Sequence, residues 1–88
     1  MYPLSQFDAM KLVEQVLSVP GVSSMHRGEF GEIALLFPGQ RVPGVRCTDQ
    51  GVEVHVVAKR DAGNLHDLGS AIRARASIPV QVIIGDIE

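Results

Sequence analysis

Apolar residues recur at helical spacing near the start of the chain. The stripe consists of Phe7, Met10, Val13 and Leu17, widened by Ala9 and Val16. Ser5 stands where its hydroxyl can cap a free backbone N–H, and Pro20-Gly21 ends the helical stretch. The pattern predicts an amphipathic helix of about three turns that ends near Ser18 and buries this stripe.

A second helical stripe lies in the last third of the chain. It consists of Leu65, Leu68, Ile72 and Ala76. Asn64 is placed as the N-cap, and Pro79 closes the helix. Gly69 lies in the middle and costs the helix about 1 kcal/mol of propensity relative to alanine. We expect another backbone to pack closely against the helix at this glycine.

Short runs of apolar and β-branched residues predict strands. They cover 22–27, 32–37, 45–48, 52–58 and 80–84. The glycines at both ends of 28–31 predict a hairpin turn between the first two strands, and Asp49-Gln50-Gly51 predicts a bulged hairpin between the next two. The segment 38–44 contains two Pro-Gly pairs and predicts an irregular surface loop.

The predicted element order is α-β-β-β-β-α-β. In the strand 52–58, Val54 and its alternate neighbours point to one face while Glu53 and His55 point to the other, so one face belongs to the core. The helix-containing interval from 58 to 80 suits a right-handed crossover to a parallel strand. We therefore expect a single α+β domain over 1–88, a two-layer sandwich of two helices on one mixed sheet of four to five strands.

Composition narrows the classes of function. The 88 residues are 45% hydrophobic and 20% charged, as in a globular chain, and a chain of this size gains stability from association. The net charge of −2 disfavours nucleic acid as a partner. The single cysteine, Cys47, excludes an intramolecular disulfide and is expected to pack inward. The longest apolar run is far shorter than the ~20 residues of a membrane span, so we expect a cytoplasmic protein without direct membrane insertion.

Aromatic, apolar and arginine side chains crowd into the region between the predicted turn at 28–31 and the strand 45–48. They are Phe30, Phe37, Arg41, Val42, Pro43 and Arg46. Such a mixture is typical of the centre of protein interfaces. We expect this region, or a free sheet edge, to contact another copy of the chain or a partner protein. The alternative is that the phenylalanines complete the core.

Glu53 and His55 form an alternative candidate site. Their two-residue spacing on a strand places both side chains on one face. With His26 they would form a metal or small-ligand site, but the histidines lack the helical spacing of a strong metal motif. We therefore expect no cofactor and no catalytic residues, and a small metal- or ligand-binding protein that uses His55 and Glu53 is the alternative function.

Four blocks in a fixed order carry a family resemblance. They are Val16-Leu-Ser-Val-Pro-Gly-Val22, His26-Arg-Gly28 with Phe30-Gly31, Pro38-Gly39 with Arg41-Val-Pro-Gly-Val45, and Gly51-Val-Glu-Val-His-Val-Val57. Over residues 9–85 the chain resembles the short actinobacterial members of the alkaline shock protein family, also called the Gls-type general stress or envelope stress response family. The chain departs from the family pattern after Val57, where a charged segment replaces a more apolar strand.

The resemblance implies a non-enzymatic cytoplasmic protein of the envelope stress response. Members self-associate, and some are held at the membrane by a separate anchoring partner. We therefore expect a stress-response interaction module that is a homo-oligomer or docks on a membrane-anchored family partner. In the second case it is peripheral to the inner face of the membrane through that partner.

Overall fold

A computed structural model of the chain describes residues 4–88, which form two helices and six strands. The elements are α1 (Gln6–Leu17), β1 (Val22–Met25), β2 (Ala34–Phe37), β3 (Gln40–Pro43), β4 (Val45–Thr48), β5 (Gly51–Ala58), α2 (Leu65–Arg75) and β6 (Val80–Ile87). The predicted α+β class is confirmed. The order α-β-β-β-β-β-α-β has one strand more than the sequence pattern predicts.

Strand β5 is the centre of the main sheet. Antiparallel β1 pairs with 56–58 and antiparallel β4 pairs with 51–54, so these two short strands lie end to end along one edge of β5. Strand β6 runs parallel along the other edge, with Val52 opposite Val80 and Ala58 opposite Ile87. The hairpin between β4 and β5 is confirmed, but its connection is the two residues Asp49-Gln50 without the predicted bulge, because Gly51 pairs with Thr48. The parallel pairing after the α2 crossover is also confirmed.

The core lies between β5 and the helices. The alternate β5 residues are buried, as a period of two predicts: Val52, Val54, Val56 and Ala58. The helices contribute Ala9, Leu12 and Val16 from α1, and Leu68 and Ile72 from α2. Both helices therefore cover the same face of the sheet, and the opposite face, here called the open face, carries Glu53 and His55.

The buried face of α1 differs from the predicted stripe. Phe7 is 75% exposed, and Met10 and Leu17 are exposed as well, whereas Ala9 and Leu12 are in the core. Both faces of this helix carry apolar residues, so periodicity alone does not select one of them. The face with the small Ala9 is the one that lets the helix backbone come close to the sheet.

Both predicted N-caps are confirmed. The Oγ of Ser5 accepts a hydrogen bond from the Asp8 backbone N–H at 3.1 Å. The Oδ1 of Asn64 accepts from the backbone N–H groups of His66 at 2.8 Å and Asp67 at 3.1 Å. The helices have twelve and eleven residues, and within residues 4–88 none is long and apolar enough to cross a membrane.

Segments 22–27 and 32–37 do not form the predicted hairpin with each other. Strand β1 pairs with β5, while β2 pairs with β3, which lies inside the segment predicted to be an irregular loop. Pro38-Gly39 is the two-residue turn of this β2–β3 hairpin, and the φ of +72° at Gly39 is the left-handed value that a Pro-Gly reversal uses. The first Pro-Gly pair therefore reverses a hairpin and does not mark irregular structure.

The segment between β1 and β4, residues 26–44, is hydrogen-bonded at both of its ends to one residue of β5. The His26 N–H donates to the His55 carbonyl, and the His55 N–H donates to the Gly44 carbonyl, both at 2.8 Å. Gly44 bends the chain between β3 and β4 with φ +85°, and a Cβ there would lie 2.6 Å from the Cβ of Met25. Gly44 is therefore the corner at which the β2–β3 hairpin leaves the main sheet.

Gly44→Ala is expected to destabilise the fold by more than about 1 kcal/mol, because it adds a clash with Met25 to the left-handed strain. Gly39→Ala is the matched control, since it has a similar φ but no atom within 4 Å of the added Cβ. Urea unfolding midpoints measure both. Equal losses in the two variants would show that the Met25 contact is unimportant.

Gly69→Ala is expected to stabilise the protein by about 0.5–1 kcal/mol, which raises the thermal midpoint by a few degrees. The close backbone approach predicted at Gly69 is absent, since an added Cβ would meet only the Arg73 Nη1 at an ordinary 3.5 Å. Thermal unfolding followed by circular dichroism tests this. A lower midpoint would contradict the absence of a close neighbour around the added Cβ.

Candidate functional site

The outward face of the β2–β3 hairpin carries exposed apolar side chains. Leu36 is 74% exposed, and Phe30, in the loop before the hairpin, is 89% exposed. Arg41 pairs with Leu36 across the hairpin, and its Nη2 donates a hydrogen bond to the carbonyl of Gly31, next to Phe30. Pro43 follows on the same face as Arg41. We refer to Phe30, Leu36, Arg41 and Pro43 as the hairpin patch.

The structure divides the six predicted interaction residues among different surroundings. Phe30, Arg41 and Pro43 lie in the hairpin patch, and Arg46 lies on the open face of the main sheet. Val42 is 4% exposed and belongs to the core, and Phe37 is half-buried against it. The prediction for Val42 is therefore wrong, because adjacent strand residues point in opposite directions and Arg41 faces outward.

Leu36 is a member of the hairpin patch that sequence reasoning missed. It stands opposite Arg41 once Pro38-Gly39 is recognised as a hairpin turn. The Pro-Gly pair between two apolar runs was the available signal. If residues 38–44 form an irregular loop, as the sequence predicts, no strand pairing places Leu36 opposite Arg41.

Glu53 and His55 are in contact, as their spacing predicts. The Glu53 Oε1 lies 3.1 Å from the His55 Nε2 and 4.0 Å from the Arg46 Nε. His55 is only 7% exposed, so its ring is enclosed and oriented by the carboxylate. Between Leu4 and Glu88, no group of three or more His, Cys, Asp or Glu side chains is placed to hold a metal ion. The arrangement can fix a ring and join β4 to β5.

His26 lies beside His55 on the open face. Its ring packs over Gly85 of β6, where an added Cβ would lie 2.5 Å from the His26 Nδ1. This nitrogen is buried and has no hydrogen-bond partner in the described part of the chain. Gly85 therefore provides the space for the imidazole, which links β1 to β6 across the central strand.

Glu32 fixes the loop that carries Phe30. Its Oε1 accepts a hydrogen bond from the Phe30 N–H at 2.9 Å, and its carboxylate packs against Gly28. Backbone hydrogen bonds from Glu32 and Phe30 lower the pKa of the Glu32 carboxyl below its ordinary 4.5, with smaller contributions from the charges of His26 and Arg46. The ionised carboxylate thus holds the loop conformation.

Cys47 packs inward, as the sequence predicts. It is half-buried against the hydrophobic core, and burial raises the pKa of its thiol. A raised pKa keeps the thiol protonated at neutral pH and lowers its reactivity. The structure therefore gives Cys47 a packing role.

Comparisons with protein-family models, with curated proteins and with solved structures found no match to this chain.

The Glu32 contact makes part of the stability depend on pH. Because the folded pKa is below the unfolded value, the carboxylate stabilises the fold above about pH 4.5 and loses this effect as pH falls through the folded pKa. We expect Glu32→Gln to have a lower thermal midpoint than wild type at pH 7 and the difference to shrink below pH 4.5.

Glu29→Gln is the control, since it removes the same charge from the same loop. Thermal unfolding of the three proteins between pH 3 and pH 7 provides the measurement. A difference between wild type and Glu32→Gln that stays constant over this range would show that the ionised carboxylate is not the stabilising group.

Proposed function

We propose that this chain is a non-enzymatic interaction module that associates with itself and docks on a membrane-anchored protein at the cell envelope. The resemblance to the alkaline shock protein family suggests this role and a cytoplasmic location. The observation that carries the docking function is the hairpin patch, where Phe30 and Leu36 are both exposed and Arg41 pairs with Leu36 and is hydrogen-bonded to Gly31, the residue after Phe30.

The hairpin patch is preorganised for binding. Two contacts hold it: Arg41 donates to the Gly31 carbonyl, and Glu32 accepts from the Phe30 N–H. A loop whose backbone is already held in one conformation loses little backbone entropy on association. Aromatic and arginine side chains are also those that most often dominate binding energy.

The charge of the hairpin patch indicates the chemistry of its partner. Arg41 is the one ionisable member, and its guanidinium has further N–H groups beyond the one bound to Gly31. A complementary surface has an apolar pocket for Phe30 and Leu36 with a carboxylate at its border. We therefore expect the cytoplasmic segment of the anchoring protein to present apolar and acidic side chains.

A small ligand or metal at Glu53 and His55 receives less support. The carboxylate already lies within hydrogen-bond distance of the His55 ring, and the ring is almost fully enclosed. A ligand would have to break this contact and enter beneath Arg46. The contact of Glu53 with His55 is better explained as an interaction that stabilises the sheet.

Docking is tested by capturing membrane proteins from a detergent extract of the source cell with the tagged chain. We expect wild type to recover one membrane-anchored protein, identified by mass spectrometry. The variants Phe30→Ser and Leu36→Ser are each expected to reduce its recovery at least about tenfold, the loss expected for an interface hot spot.

Phe7→Ser is the matched control, because Phe7 is also largely exposed but lies on α1. It is expected to leave recovery unchanged, and circular dichroism checks that all variants fold. Equal recovery with the two hairpin variants and wild type would contradict docking through the hairpin patch. An equal loss with Phe7→Ser would show that the capture reflects nonspecific apolar contact.

A further inference from the structure

Among residues 4–88, the outer edge of β6 has backbone groups without a hydrogen-bond partner. Strand β6 pairs with β5 along its length, and in the described part of the chain no other strand pairs with β6. His55 directs both its N–H and its carbonyl to the β1 and β4 edge. Val54 and Val56, which flank His55, therefore direct their N–H and carbonyl groups to β6. In a parallel pair these groups bond to the residues on either side of Val82 and Ile84, so the N–H and carbonyl groups of Val80, Val82 and Ile84 point away from β5.

The first part of this edge lacks the features that prevent strand pairing. Long edges are normally protected by lysine, proline or a bulge. Residues 80–84 have neither lysine nor proline. Two features protect the edge from strand pairing after Ile84. The β5–β6 register shifts there, and the Asp86 Oδ1 accepts a hydrogen bond from the Ile87 backbone N–H at 2.8 Å. The unprotected segment is therefore 80–84.

We infer that segment 80–84 pairs antiparallel with the same segment of a second copy, about a two-fold axis at Val82. This inference rests on the proposed self-association and names its surface. In this register Val82 lies opposite its own copy, and Val80 lies opposite Ile84 of the second copy. Residues whose backbone groups point outward thus face each other, as the hydrogen-bonded pairs of an antiparallel ladder require.

The segment is complementary to itself. On the helix-covered side the pairing places valine and isoleucine against each other, and on the open face it places Gln81 against Ile83. The two Asp86 carboxylates lie eight residues apart along the strands, roughly 26 Å, so like charges do not meet. The two-fold axis keeps the helices of both copies on one side of a continuous sheet.

The test uses charge at the two exposed open-face positions. In the proposed register, the double variant Gln81→Lys, Ile83→Lys places two lysines opposite each other on both sides of the axis. The double variant Gln81→Glu, Ile83→Lys places opposite charges at the same positions and is the matched control. Light scattering over a concentration series gives the dimer dissociation constant, and circular dichroism confirms folding.

We expect wild type to show a concentration-dependent dimer. The lysine pair is expected to weaken it at least about tenfold, and the glutamate–lysine pair to remain within about threefold of wild type. A wild-type dimer that neither variant changes overturns the assignment of the edge but leaves self-association intact. Equal weakening by both variants overturns the register.

Two further outcomes concern the occupant. A wild type that stays monomeric at every concentration overturns both the proposed self-association and this inference. In the other outcome, wild type is monomeric and the lysine pair abolishes recovery of the membrane-anchored protein. This result overturns pairing with a second copy and assigns the β6 edge to a strand of that protein.

Discussion

Strand β5 has to bury one of its faces and pair both of its edges, and the positions of the other elements follow from these two demands. Val54 and its alternate neighbours are covered by α1 and α2, which places both helices on one side. One edge is shared by β1 and β4, and the other is occupied by β6. Because β5 carries eight residues and its two antiparallel partners only four each, neither partner alone satisfies its edge.

This arrangement separates the two surfaces to which we assign binding. The β2–β3 hairpin leaves the sheet at Gly44, on the edge shared by β1 and β4, whereas the free segment of β6 lies at the opposite edge. A partner on the hairpin patch and a second copy on β6 therefore do not compete for space at one edge. The open face between them is tied together by the His55–Glu53 contact and by the His26 ring over Gly85.

Local signals in the sequence were sufficient for much of the fold. The two N-caps, the turn before Gly51 and the alternation along β5 depend on residues close in sequence, and all three were predicted. The pairing of β1 with β5 joins distant segments, which no local pattern encodes. The buried face of α1 was not predictable either, since both its faces are apolar and the contact with the sheet decides between them.

The candidate site divides in the same way. The contact of Glu53 with His55 follows from the period of a strand, and the exposure of Phe30 fits a loop residue. Val42 was misassigned and Leu36 overlooked because both depend on the register of a hairpin that the prolines concealed. The Glu32 contact and the place of His26 arise only after the loop folds back on the sheet, so the sequence contains no direct sign of them.

The excursion that holds the hairpin is closed at both ends on the backbone of His55. Loop-closure entropy rises only slowly with length, so residues can be added to or exchanged in the hairpin tip without moving β5 or its other partners. The main sheet around β5 thus keeps its structure when the tip of the β2–β3 hairpin changes. Substitutions at the outward-facing hairpin positions Leu36 and Arg41 would therefore change the proposed docking surface while the main sheet stays the same.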